Sequence, residues 1–131
     1  HKWIDAGADA VIGHHPHVIQ GIERYKDKLI AYSLGNFLFD NTSSNRKWGG
    51  VLRLSYERDT GSAACLRAAS FHPTIVVPTP GHHVTIAKGK GFKAIADRLI
   101  KLSKVKAMTK TAWTVDGDRL TTTTPAGCGA P

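Results

Sequence analysis

The sequence has no long apolar run. Its longest apolar stretches are short and interrupted, well below the ~18 residues that a membrane-spanning helix needs. No charged segment followed by an apolar one, the pattern of a secretory signal, opens the chain. We therefore expect any anchor or targeting segment to lie upstream of His1, and residues 1–9 to continue a helix of a longer protein.

Cysteine and acidic residues are also scarce. Cys65 and Cys128 have no C-x-x-C spacing, which argues against a zinc knuckle or a disulfide framework. A single bridge between them stays open, and cysteine alone does not determine the compartment. The chain has ten acidic and 18 basic residues. Its surface should therefore attract an anionic polymer or a phosphorylated or acidic substrate. The alternative is that the basic charge only keeps the protein soluble. The basic residues are spread along the chain without a nucleic-acid-binding motif, so nucleic acid is not expected.

The patterning predicts about one α/β domain with a mixed sheet, antiparallel hairpins and one amphipathic helix near the C-terminus. A first helix should end near Asp5, stopped by Gly7, before a strand at 8–13 that is buried on both faces. Residues 1–104 should form the domain, and 105–131 a weakly structured tail that includes a last hairpin at 113–121. Further strands are predicted at 18–25, 29–34, 51–58, 63–73, 74–77 and 83–87, an irregular loop at 37–48, and the helix at 91–103.

Three histidines follow the first predicted strand, in Gly13-His14-His15-Pro16-His17. Ligand sites of open α/β sheets lie at the carboxyl ends of strands, and imidazole is the commonest metal ligand in proteins. If Pro16 keeps His15 extended, His15 and His17 face the same side and can meet one metal or two adjacent ones. The alternative is a set of surface histidines or a hydrogen-bonded core histidine. The adjacent pair His82-His83 is interpreted as ordinary loop polarity.

The second polar cluster is Tyr32-Ser33-Leu34-Gly35-Asn36-Phe37-Leu38-Phe39-Asp40. Gly35 permits a sharp turn, after which the Asn36 carboxamide could ligate a metal or hold a phosphate or carboxylate. A turn-capping role for Asn36 is the alternative. Phe37 and Phe39 are expected in the core or in a pocket wall, and Asp40 is a weaker candidate.

These two clusters resemble the CapA family of poly-γ-glutamate capsule biosynthesis proteins. The family pattern is a strand, a Gly-x-His-Pro-His loop, a Gln shortly after it, and then Ser-Leu-Gly-Asn-Phe. Both motifs are present in order over about the first 40 residues, the similarity is looser to Val77, and little is recognisable beyond Gly91.

The resemblance implies the C-terminal half of a metallophosphoesterase-like αββα sandwich of the calcineurin-like superfamily, with two divalent metals (Mn, Fe or Zn) between its sheets. His15 and His17 match the histidines of the last superfamily signature, as metal ligands and catalytic residues. Asn36 matches a catalytic or substrate-binding position, and Gln20 and His14 are assigned to substrate binding. The earlier superfamily motifs have no counterpart here, so we expect the missing N-terminal half to supply the remaining ligands and this chain alone to be inactive.

The implied function is synthesis or export of poly-γ-glutamate at the extracytoplasmic face of the bacterial envelope, with a membrane contact only through a segment outside this chain. Two alternatives stay open. One is a general metal-dependent phosphoesterase of the same fold. The other is a non-catalytic scaffold that binds polyanions at the envelope.

Overall fold

The computed structural model describes residues 1–40, 43–58, 64–105 and 111–123. These residues form two helices, eight strands and a short 3₁₀ helix at Ser44–Lys47. The elements in chain order are α1 (Lys2–Asp5), β1 (Ala10–Ile12), β2 (Ile22–Tyr25), β3 (Lys28–Ala31), β4 (Trp48–Glu57), β5 (Cys65–Val77), β6 (His83–Ile86), α2 (Gly89–Leu102), β7 (Thr114–Asp116) and β8 (Arg119–Thr123).

The first sheet has three strands in the order β1-β3-β2. β1 runs parallel to β3, and β2 pairs with β3 as a hairpin. The turn residues of this hairpin, Lys26 and Asp27, have φ angles of 47° and 61°. A two-residue hairpin turn requires this left-handed backbone conformation at both positions. The expectation that β1 is buried on both faces is wrong for this chain. β1 is an edge strand, and Ile12 at its end is 43% exposed.

The second sheet joins β4, β5, β8 and β7 in that order, and β6 also pairs with β5. The hairpin of β4 and β5 confirms the prediction from their alternating apolar residues, but β5 does not end at Pro73. It continues to Val77 as one strand, so the separate strand predicted at 74–77 is wrong. Pro73 is tolerated because it needs only its carbonyl here, which accepts a hydrogen bond from Ala87 N at 2.9 Å.

One apolar core joins both sheets to α2. The predicted amphipathic helix is confirmed, and its inner face buries Ile95 and Leu99 completely. Ser103, directly after α2, is also fully buried, and its Oγ accepts a hydrogen bond of 3.0 Å from Ile22 N on β2. The end of α2 is therefore fixed against the outer edge of β2. Core members from the two sheets include Ile22, Leu29, Ala31, Leu66, Ala69, Phe71 and Leu120.

The last hairpin is part of the second sheet, since β8 pairs with residues 68–71 of β5. Leu120 is fully buried in the core and Trp113 is 8% exposed. The expected weakly structured tail, 105–131, therefore does not apply to this hairpin, because its apolar side chains complete the core. Residues 106–110 and 124–131 lie outside the described residues, as do 41–42 of the irregular loop predicted at 37–48.

The α/β class, the mixed sheet and the single long helix agree with the predicted sandwich-type fold. Several large apolar side chains remain uncovered, among them Trp3 at 70% and Leu38 at 60% exposure. Cys65, the first residue of β5, is disulfide-bonded. Within the described segments, neither helix has the length and apolar content to cross a bilayer.

Candidate metal centre

The histidine loop begins where β1 leaves the sheet. Gly13 N donates to Ala31 O at 2.7 Å, which keeps the start of the loop against the end of β3. A side chain at position 13 would meet the carbonyl oxygen of Tyr32. Only glycine allows this approach, and it brings the two predicted polar clusters together at one edge of the sheet.

The loop itself is not extended, contrary to the prediction from Pro16. His15 and His17 have φ angles of 91° and 59°, because pairing with β3 ends at Ile12 and no further ladder holds the chain straight. The rings are nevertheless neighbours, with centroids 6.2 Å apart and planes inclined by 49°. Left-handed backbone at a non-glycine residue costs roughly 1–3 kcal/mol, and such strain concentrates at functional sites.

His17 is oriented by Asn36 from the second cluster. His17 Nδ1 lies 2.8 Å from Asn36 Oδ1. The Asn36 amide nitrogen donates to the carbonyl oxygens of Arg46 at 2.7 Å and of His17 at 3.4 Å, so the amide oxygen must face the imidazole. His17 therefore carries its proton on Nδ1, and the lone pair of the neutral ring is on Nε2.

Asn36 is itself fixed by its surroundings. It is 6% exposed, and its backbone N donates to Trp48 O at 3.3 Å. Gly49 packs against it so closely that a Cβ at position 49 would collide with the Asn36 carbonyl oxygen. On its other side, the His17 ring stacks on Phe39 with centroids 4.5 Å apart. Phe39 is half-buried beside this ring, whereas Phe37 is 58% exposed and does not take the expected core position.

The two rings lie within the distance that a shared metal could bridge, as part of a ligand set. A metal–nitrogen bond of about 2.1 Å puts a ring centroid about 3.2 Å from the metal, so two rings on one ion can be separated by up to about 6.4 Å. The observed 6.2 Å allows one ion at a wide angle or two adjacent ions. Among the described residues no group of three or more His, Cys, Asp or Glu side chains could hold a metal, so any further ligand has to come from elsewhere.

The other predicted site residues are exposed or half-buried. His14 and Asp40 are exposed. Gln20 is half-buried, donates its backbone N–H to Ser33 O at 3.0 Å, and borders a small cleft of about 260 Å³ lined also by Gly21, Tyr32, Leu102 and Val105. No histidine lines this cleft. His82 and His83 are exposed in the loop before and at the start of β6.

A buried carboxylate near the second cluster was not anticipated. Glu23 on β2 is fully buried and accepts a hydrogen bond of 2.7 Å from the Tyr32 hydroxyl. His1 Nε2 lies 3.0 Å from its other oxygen. This hydrogen bond, followed by burial and the charge of Glu23, raises the pKa of Tyr32 to about 12. The apolar spacing of β2 marked the strand but gave no sign that its one acidic residue points inward.

Comparisons with known proteins support the family resemblance of the two motifs. The family model described as "Bacterial capsule synthesis protein PGA_cap" matches residues 1–41. The PGA biosynthesis protein CapA of Bacillus subtilis (strain 168) is 33% identical over 121 residues, which are 89% of this chain. This chain belongs to the CapA family.

The capsule biosynthesis protein CapA of Bacillus anthracis is 47% identical over 60 residues, or 46% of this chain. An uncharacterized protein of Sinorhizobium fredii, y4sH, is 62% identical over 40 residues, or 30% of this chain. The aligned segments are 28% of the Bacillus subtilis relative, 14% of the Bacillus anthracis relative and 9% of the Sinorhizobium relative. The chain therefore spans a minor part of the CapA proteins it matches, and the resemblance found in its two motifs is confirmed.

Proposed function

We propose that the intact protein takes part in making or exporting poly-γ-glutamate at the bacterial envelope, through a metallophosphatase-like centre to which this chain contributes His15 and His17. The names of the two Bacillus relatives, which refer to capsule and PGA biosynthesis, support the process. The single structural observation that supports a metal centre is the bond between His17 Nδ1 and Asn36 Oδ1. Histidines that ligate metals almost always donate their other ring nitrogen to such an acceptor.

In this proposal each residue has a separate task. His17 presents Nε2, Asn36 sets the tautomer and the ring orientation, and Phe39 limits rotation of the ring. His15 is more exposed and closes the pair from the solvent side. Bound divalent metals would polarise a phosphoryl or amide oxygen and lower the pKa of water. Gln20 and His14 border the same edge of the sheet, where they could contact a substrate.

The extracytoplasmic face of the envelope is the location that we propose. Disulfides persist in oxidising compartments and are rare in the cytosol of most bacteria. The disulfide at Cys65 supports such a compartment. A free-thiol assay on protein collected from cells under alkylating conditions tests this directly: the proposal requires a blocked Cys65, and a reactive Cys65 thiol contradicts it.

The functional test is complementation of a strain that lacks the intact protein. His15→Ala and His17→Ala should abolish surface poly-γ-glutamate while protein abundance is unchanged, and His82→Ala, a histidine remote in sequence from the loop, should leave it intact. Normal polymer in both loop variants, with unchanged hydrolysis of phosphoesters, would favour the non-catalytic scaffold. Lost hydrolysis of phosphoesters with normal polymer would favour a general metal-dependent phosphoesterase.

A further inference from the structure

The outer face of α2 carries a row of lysines. Lys90, Lys93, Asp97 and Lys101 are all exposed, and at 3.6 residues per turn they lie within about 80° of one another around the helix axis. Lys104, also exposed, follows one residue after the buried Ser103. The opposite face is fixed in the core by Ile95 and Leu99. We call Lys90, Lys93, Lys101 and Lys104 the lysine row.

The charge of the lysine row is poorly neutralised. Its one acidic neighbour, Asp97, pairs with Lys93 at 2.6 Å. Within the described parts of the chain, Lys90, Lys101 and Lys104 form no ion pair with an acidic group. Lys101 in the last turn of α2 favours the helix dipole, but Lys90 in the first turn, which contains no acidic residue, opposes it. A local choice that disfavours the fold is expected where function requires it.

We propose that the lysine row is a binding surface for a linear polycarboxylate chain. From Lys90 to Lys101 the row extends about 16 Å at 1.5 Å per residue, so an extended polymer can contact several lysines at once. Lysine ammonium groups act as mobile point charges, whereas arginine fixes the geometry of one carboxylate. Lysine therefore suits a polymer that must slide past the protein. The choice of a polycarboxylate as the ligand rests on the proposed function, whereas the exposed charge of the lysine row is observed independently of it.

The test is binding of fluorescent poly-γ-glutamate of defined length to the intact protein at low salt. Lys90→Gln/Lys101→Gln/Lys104→Gln should weaken binding about tenfold, because three exposed charge contacts each contribute a few-fold. The control removes the same charge elsewhere, with Lys2→Gln/Lys47→Gln/Arg53→Gln, which are exposed on other elements. It should change affinity less than twofold. The difference between the two variants should shrink as salt screens exposed charges.

Equal losses in the row variant and the control would overturn the proposal, since net charge alone would then explain binding. Binding of phosphatidylglycerol vesicles through the same lysines, without binding of poly-γ-glutamate, would also overturn it and assign the surface to a membrane. Metal binding measured on the same samples separates this result from the proposed function. A failed lysine row with intact metal binding leaves the centre at His15 and His17 unaffected.

Discussion

The imidazole of His17 and the carboxamide of Asn36, 19 residues apart in sequence, are joined by a hydrogen bond of 2.8 Å between Nδ1 and Oδ1. The sequence allowed Asn36 as a metal ligand, but in the structure its oxygen faces His17 and its nitrogen donates to Arg46 O. In the proposed centre, its role is therefore to position the histidine. The two family motifs form one unit because each supplies half of this contact.

Asn36→Leu should lower the metal affinity of the intact protein about 10- to 100-fold, which is the usual effect of removing the partner of a ligating histidine. Asn36→Asp keeps an oxygen acceptor for His17 but loses the donor to Arg46 O, so it should recover only part of the loss. Isothermal titration with Mn²⁺ or Zn²⁺ measures both. Equal affinity for wild type and Asn36→Leu would show that His17 needs no such partner.

Gly49→Ala should disturb the proposed metal centre by displacing Asn36. The new methyl group would collide with the Asn36 carbonyl oxygen, and overpacking of this kind costs about 1–3 kcal/mol of unfolding free energy. Urea denaturation measures the loss, which should be accompanied by weaker metal binding. Val51→Ala on the same strand, at an exposed position, is the control and should stay within about 0.5 kcal/mol. A fully stable Gly49→Ala would mean that Asn36 can shift freely.

Tyr32 should ionise at a higher pH than a free tyrosine. Its pKa is raised to about 12 from 10.0, so its bond to Glu23 stabilises the fold fully below about pH 10 and is lost as the pH rises through about 12. A titration followed at 295 nm should contain a late transition that is missing in Tyr32→Phe. Glu23→Gln should move that transition to lower pH. An unchanged curve in Tyr32→Phe would contradict the assignment.

Ser103→Ala should reduce stability by about 1–3 kcal/mol, because the buried Ile22 N–H loses its acceptor. Chemical denaturation gives the difference from wild type. Ser55→Ala, exposed on β4, removes the same atom where water can replace it and should change little. Similar effects of the two substitutions would exclude a specific role of Ser103 in fixing α2 to β2.

Local sequence signals predicted the elements of the fold whose side chains follow a period. The helical spacing of Ile95 and Leu99 and the alternation along β4 were sufficient for α2 and the long hairpin. The signals failed where tertiary contacts override a local rule. β5 continues through Pro73 because Ala87, directly after β6, bonds only to the Pro73 carbonyl. The last hairpin, whose sequence is largely polar, is fixed because Leu120 packs into the core.

The candidate site was predictable in its residues and not in its geometry. Residue type and position after a strand indicated His15, His17 and Asn36. The left-handed backbone of the loop could not be inferred, because it depends on where the ladder between β1 and β3 ends. The lysine row was missed for a related reason. Its members are dispersed in sequence, and only the period of α2 brings them onto one face.

The central claim is that His15 and His17 bind metal, and metal content of the purified intact protein tests it most directly. His15→Ala and His17→Ala should each lose bound divalent metal. His82→Ala and His83→Ala, which remove exposed imidazoles outside the loop, should retain the wild-type amount. Elemental analysis by mass spectrometry gives the stoichiometry. Equal metal content in all four variants and the wild type would contradict the account.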